Sequence, residues 1–261
     1  MILSYLSVTA FIVSSVLLAR YFTKDEIQHQ HQQTIALLIS FAITAQALNF
    51  TDFWTSEGII FGLSNSASFA SLLIVILLFI ASFTKPVHAL GILVYPVAAI
   101  TVLLSTIFPD SGDKIIPLSI ASHVFLSITA YALLALSLCQ SILLKIQEKH
   151  LHERNIDGFI NKLPALQTME NLLFQSLRVG FYLLTLSLLT GFFFIDDFFA
   201  QHLIYKTTLS LVAWVIFAAL VVGRKVFGWR GKQAILATQV GFGVLLIAYF
   251  GSKFVIERLI S

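Results

Sequence analysis

Long apolar runs separated by short polar breaks set the rhythm of this chain. Eight of them, at 2–22, 34–50, 64–83, 87–108, 117–145, 173–195, 203–223 and 233–257, are long enough as helices to cross a hydrocarbon core of about 30 Å. A backbone in lipid must satisfy its amides within the segment, so runs of this length predict helices. The second, "TIALLISFAITAQALNF", is the shortest and sits at the lower limit. The first has no basic stretch before it and no small-residue cleavage site after it, so it reads as a span rather than a leader. No internal repeat, low-complexity tract or soluble domain interrupts the series. The expectation is an all-α polytopic membrane protein, one transmembrane domain over residues 1–261, with eight helices in one bundle.

Lys and Arg then orient the spans. The odd-numbered connections carry Arg20 and Lys24; Lys85; Lys145, Lys149, Arg154, Lys162 and Arg178; and Arg224, Lys225, Arg230 and Lys232. The second connection, "TDFWTSEGIIFGL", has none, the fourth has Lys114 beside Asp110 and Asp113, and the sixth reads "IDDFFAQH" with Lys206 just beyond. The odd connections are therefore expected in the cytoplasm and both termini outside. Lys253 and Arg258 run against the bias, but long cations reach headgroups by snorkelling.

Composition sharpens the class. With 58% hydrophobic and 11% charged residues, the chain cannot cover itself with a water-compatible surface, which takes roughly a quarter charged residues. The net charge of +3 is absorbed by membrane orientation. No basic patch alternates with exposed aromatics, so nucleic acid is excluded as a partner. The single Cys139 and the lack of any CxxC exclude a disulfide framework, a dithiol redox pair and covalent c-type haem attachment. No carboxylate falls deep in a span, no Ser–His–Asp order is present, and adjacent Asp196 and Asp197 point apart on a helix. An enzyme is not expected.

Two connections have features of their own. In the fifth, "LPALQTMENLLFQSL" carries an apolar stripe of Leu166, Met169, Leu172, Leu173 and Leu177 after Pro164, which predicts a helix lying along the membrane surface before the sixth span. In the seventh, "GWRG" places Trp229 at headgroup level, while Gly228 and Gly231 permit a tight entry into the last span.

The seven histidines divide by location. His29 and His31, and His150 and His152, form HxH pairs in cytoplasmic connections, and His88 sits at the mouth of the fourth span. Such pairs on polar segments define no metal cage by themselves. His123 is different: it lies about 9 Å into the fifth span, counted from Pro117, with Ser127 at i+4 on its face. Polar side chains at such depth face a bundle interior or a wet cavity and mark function by default. His123 reads as an axial ligand to haem iron, as a proton relay, or as a neutral imidazole packed against a carbonyl or Ser127. His202, at the outer mouth of the seventh span and about 9 Å shallower, is the other His on that side. Lys206, one turn on, either meets a haem propionate or snorkels.

"SHVFLSITAYALLALSLC", then "KTTLSLVAW" at 206–214, then "GWRGKQA" at 228–234, in this order and spacing, resemble the cytochrome c assembly protein family, the superfamily of CcsA, CcmC and HemX-like proteins. The likeness extends over essentially the whole chain and is strongest to the eight-span YpjD-type inner-membrane proteins. The resemblance implies a bacterial inner-membrane bundle with periplasmic termini and a role in haem handling or cytochrome c maturation. It implies haem as a candidate cofactor, with His123 at the position of a haem-ligating histidine; His202 as a weak second ligand and Lys206 as a propionate contact rest on their own positions in the sequence. The chain departs from the haem-presenting relatives in two respects: it has Trp54 in "DFWTSEG" but no WGxxWxWD segment, and it lacks their paired external histidines unless His202 is one of them. A different class stands beside this one, a haem-free scaffold or accessory subunit of another integral membrane protein. Gly180, Gly191, Gly241, Gly243 and Gly251 would let helices approach closely in that case.

Overall fold

The computed structural model describes residues 1–23, 30–50, 59–60, 62–110, 115–116, 118–153, 159–194 and 201–251. Among them the apolar runs form eight long helices: α1 (Ile2–Thr23), α2 (Gln30–Asn49), α3 (Leu63–Ser82), α4 (Gly91–Ile107), α5 (Leu118–His152), α6 (Leu166–Phe194), α7 (Gln201–Val226) and α8 (Gly231–Leu246). A π-helical turn, Ile247–Gly251, continues α8. Outside the helices, Ile59–Ile60 and Ile115–Ile116 pair as a two-residue antiparallel bridge. Lys24, Trp54, Asp196, Asp197, Lys253, Arg258 and His29 lie outside the described residues.

Seven of these helices are long and apolar enough to cross a membrane; α2 is not among them. Its apolar stretch is bounded by Gln32, Gln33 and Thr34 on one side and by Gln46 and Asn49 on the other. The surface follows the membrane pattern: Leu37, Ile80, Ile100, Val215 and Leu236 are exposed, whereas Ser7, Ser14, Gln46, Ser137, Glu170 and Thr238 are buried. Several buried hydroxyls are satisfied within their own helix, as where Ser14 donates to the Ala10 carbonyl at 2.8 Å and Thr238 to that of Ala234 at 2.7 Å.

The expected surface helix in the fifth connection is replaced by something simpler. Residues 166–194 form one continuous 29-residue helix, because no proline separates the stripe from the sixth span. Met169, Leu173 and Leu177 are buried inside the protein, not laid on a membrane surface.

The chain packs as two compact units. In the first, Met1–Ala121 with His150–Ala165, α1 packs on α4 and α2, and α3 packs on α4. Ser7 donates to the Ala42 carbonyl at 3.2 Å and Ser15 to that of Ile92 at 3.3 Å, tying α1 to both neighbours. The core here includes the fully buried Phe11, whose ring stacks 6.2 Å from Tyr95. The Asp110 carboxylate accepts the Asn65 amide at 2.8 Å, supplying α3 with an anionic cap from a distant segment.

In the second unit, Ser122–Lys149 with Leu166–Ser261, α7 packs on α8 and α6 on α7. Trp214 secures the α6–α7 contact. Its ring stacks on Phe181 at 5.7 Å and its Nε1–H donates to Thr185 Oγ1 at 2.9 Å. A half-buried indole in a span needs such a partner, because its one donor finds no water there.

Candidate functional site

The second unit holds the histidine that the sequence singles out. His123 lies in the second turn of α5 and is half-buried. Its Nδ1 is 2.9 Å from the Ser187 carbonyl oxygen of α6 and 3.3 Å from Thr190 Oγ1. A carbonyl can only accept, so Nδ1 carries the proton and Nε2 carries the lone pair. The Thr190 hydroxyl donates to the same Ser187 carbonyl at 2.9 Å.

Ser127, one turn along α5, stands 3.5 Å from Nε2. Its hydroxyl is committed elsewhere: it donates to the His123 carbonyl at 2.7 Å and meets the Ser187 hydroxyl at 2.6 Å. With its single proton on the carbonyl, Ser127 has none left for the imidazole. The result is a ring whose tautomer and orientation are held from behind, with its basic nitrogen unclaimed by any strong donor among the described residues. This is the arrangement by which ligating histidines are held in metal sites, with the second nitrogen donating to a carbonyl.

The other predicted residues lie on α7 and at the far end of α5. Lys206 is half-buried in α7, and no described hydrogen bond or ion pair joins it to His123. His202 falls in the first turn of α7, with its side chain outside those described. His150 and His152 close the last turn of α5. No group of three or more His, Cys, Asp or Glu that could hold a metal ion occurs among the described residues. No all-protein metal cage forms around His123 among the described residues, and the ring offers Nε2 as its one lone-pair nitrogen.

A second cluster escaped the sequence reading. Glu170 on α6 is almost fully buried, and its carboxylate gathers the turn between α7 and α8. Oε1 accepts the Gly231 amide at 2.6 Å, and Oε2 pairs with Arg230 Nε at 3.2 Å and Arg224 Nη1 at 3.7 Å. Arg230 also donates to Gln167, and Arg224 donates to the Trp229 carbonyl at 3.1 Å. The expected tight turn is present: Gly228 and Gly231 have φ of 67° and 49°, in the region where a Cβ is penalised. Trp229 folds back over Gly223, where a Cβ would fall 2.3 Å from the indole ring. The signal available in sequence was an acidic residue interrupting the apolar stripe between Met169 and Leu173.

Of the glycines proposed to receive a partner helix, Gly180 already abuts Leu134 and Gly241 abuts Phe217, while Gly243 has open space around it.

Long apolar helices with lipid-compatible exposed faces define an integral membrane protein, with a histidine held between two helices of its second unit. The chain matches the Cytochrome C assembly protein family model over residues 2–260 and belongs to that family. It is 29% identical over 229 residues to the inner membrane protein YpjD of Escherichia coli (strain K12), covering 87% of this chain and 86% of that one. It is 30% identical over 198 residues to the cytochrome c biogenesis protein CcsA of Chlamydomonas reinhardtii, and 26% identical over 193 residues to that of Guillardia theta. These matches cover 71% and 64% of this chain, and 54% and 64% of those longer proteins, so its likeness extends over only part of them. No solved structure matches.

Proposed function

We propose that this protein is an inner-membrane haem-handling factor that binds haem iron through Nε2 of His123 and assists cytochrome c assembly without catalysing a reaction of its own. The observation that carries the reading is the bond from His123 Nδ1–H to the Ser187 carbonyl, at 2.9 Å. It fixes the tautomer in which Nε2 is a ligand and orients the ring without consuming that lone pair. Family membership and the biogenesis function in the names of the CcsA relatives supply the substrate class. When bound, haem would supply an iron centre. The chain's part would be to hold it through Nε2 of His123, with the ring oriented by the Ser187 carbonyl.

In this reading the whole chain acts as one membrane domain. The less apolar α2 is the eighth span, both termini are periplasmic, and the basic connections are cytoplasmic, in keeping with the distribution of Lys and Arg. Lys206 and His202 stand at the outer end of α7, where a propionate or a second axial contact would be met. Haem then passes to, or arrives from, another integral membrane protein, since the tryptophan-rich external platform of the haem-presenting relatives has no counterpart in this sequence.

The test is the optical spectrum of protein purified in mild detergent from haem-replete cells. A Soret band that is lost in His123→Ala and kept in Lys206→Gln is the expected result. A haem-free preparation that also takes up none on titration refutes the reading and leaves the haem-free accessory subunit.

A further inference from the structure

A basic cleft opens between α6 and α7, away from His123. It encloses about 540 Å³ and is lined on α6 by Phe174, Gln175, Arg178 and Tyr182 and on α7 by Arg224 and Lys225. Arg178 and Tyr182 are one turn apart on α6, so the cationic group and the phenol form a column along one face.

The charges in this cleft do not cancel. Arg224 is engaged: it pairs with Glu170 at 3.7 Å and lies 4.6 Å from the centre of the Phe174 ring. Arg178 commits only its Nε, to the Phe174 carbonyl at 3.2 Å, which leaves four guanidinium N–H groups uncommitted among the described residues. Lys225, in the last turn of α7, makes no described hydrogen bond or ion pair, and both it and Arg178 are exposed. Two uncompensated cations thus share one concave site with side-chain amide donors beside them.

The wall has a second character. Tyr182 is 59% exposed, and Val179 and Val222 continue the apolar surface outside the cleft at 47% and 54%. A free anion in water gains nothing from such a wall. An amphiphile does: its phosphate meets the cations while its chains follow the apolar faces of the helices into the bilayer. Basic pockets between membrane helices are where anionic headgroups settle, and guanidinium is the side chain suited to bidentate phosphate contact.

We infer that the α6–α7 cleft is a binding site for an anionic phospholipid, its phosphate held by Arg178 and Lys225 with Arg224 closing the floor. This site does not depend on haem binding. Two unrelated snorkelling cations at helix ends would instead favour anionic membranes only diffusely.

The test uses the full-length protein in detergent, with thermal unfolding measured against added phosphatidylglycerol, phosphatidylcholine of the same chains, or inorganic phosphate. Phosphatidylglycerol is expected to raise the melting temperature by several degrees more than phosphatidylcholine. The Arg178→Gln/Lys225→Gln double variant is expected to erase that difference, and the exposed Lys225→Gln alone to reduce it. Arg224 is left intact because it also holds Glu170 and Trp229. Equal protection by both lipids, equal protection by inorganic phosphate, or an undiminished phosphatidylglycerol effect in both variants overturns the site.

Discussion

His123 of α5 and Ser187 of α6 are joined by a 2.9 Å bond from ring Nδ1 to backbone carbonyl, and that choice of partner determines what the histidine can do. A side-chain partner could be exchanged by mutation or by proton movement. A backbone carbonyl is a permanent acceptor, so the ring is held in one tautomer for as long as the two helices stay in register. Of the neighbouring hydroxyls, Thr190 donates to the same Ser187 carbonyl, whereas Ser127 donates to the His123 carbonyl and meets the Ser187 hydroxyl.

This geometry separates the variants around His123. Ser127→Ala removes a hydroxyl 3.5 Å from Nε2 that has no proton to offer it, so a Soret band is expected to persist. Thr190→Val removes the longer 3.3 Å contact but keeps the carbonyl bond. Its cost in haem affinity should stay below about tenfold, the lower end for loss of an outer-shell partner. Titration of haem into the apoprotein of each variant measures this. Loss of binding in Ser127→Ala comparable to that in His123→Ala would mean that the serine hydroxyl is itself needed at Nε2, and that the carbonyl bond alone does not prepare the ring.

Glu170 offers a second prediction, about stability. Its carboxylate is buried, whereas the Arg230 side chain is 54% exposed. An ion pair with an exposed partner contributes little, so the Arg230 contact is the lesser part of what Glu170 supplies. The greater part is the 2.6 Å bond to the Gly231 amide and the contact to the less exposed Arg224. Glu170→Ala should therefore destabilise by about 1.5–3 kcal/mol, the range for hydrogen bonds to a charged group, and Arg230→Ala by less than about 1 kcal/mol. Thermal unfolding of the two variants in the same detergent compares them directly. Equal losses would mean that the ion pair, not the bond to the turn, is the stabilising element.

The turn itself gives a third. A methyl group on Gly223 would lie 2.3 Å from the Trp229 ring, and that ring is also pinned by the bond from the Trp229 amide to the Gly223 carbonyl at 3.2 Å. Gly223→Ala must displace the indole, at about 1–3 kcal/mol for overpacking. Combining it with Trp229→Ala should cost less than the sum of the two single changes, because the clash disappears with the ring. Strict additivity in a double-mutant cycle of melting temperatures would rule out the steric account.

Which of these features could be read in advance follows from the range of the interactions. Helices α1, α3, α4, α5, α7 and α8 announce themselves through local apolar runs, and the Gly228–Gly231 turn through local residue types. His123 stood out because an imidazole inside an apolar run is anomalous on its face. Ser187 did not, because its contribution is a backbone oxygen that every residue possesses, 64 positions away. Glu170 was hidden for a related reason. In a short window it looks like the polar side of a surface helix, and its partners Arg224, Arg230 and Gly231 lie 54 to 61 positions further on. The amphipathic stripe at the start of α6 looks like a surface helix on its own, but nothing in the residues that follow it breaks a helix, so the stripe and the span run on as one.

The last prediction concerns a buried amide in the first unit. Gln46 is 1% exposed. Its Nε2 donates to the Ser68 carbonyl at 2.9 Å and lies 3.2 Å and 3.3 Å from the hydroxyls of Ser68 and Ser71. Its Oε1, also buried, has no partner among the described residues. Two of the groups that it meets have other partners: Ser71 donates to the Ser68 carbonyl at 2.8 Å and Thr101 lies 2.7 Å from the Ser71 hydroxyl. The buried Ser68 hydroxyl has no other partner among the described residues. Replacing the amide by an apolar side chain of similar size therefore removes one orphaned acceptor and orphans one hydroxyl, terms of about 1–3 kcal/mol each that oppose one another. Gln46→Leu should therefore stay close to the wild type in stability, whereas Gln46→Glu should be strongly destabilised by a buried unpaired charge. A melting temperature several degrees lower for Gln46→Leu would mean that Oε1 holds a stabilising partner in the folded protein, making Gln46 part of a polar site rather than a tolerated defect in an apolar bundle.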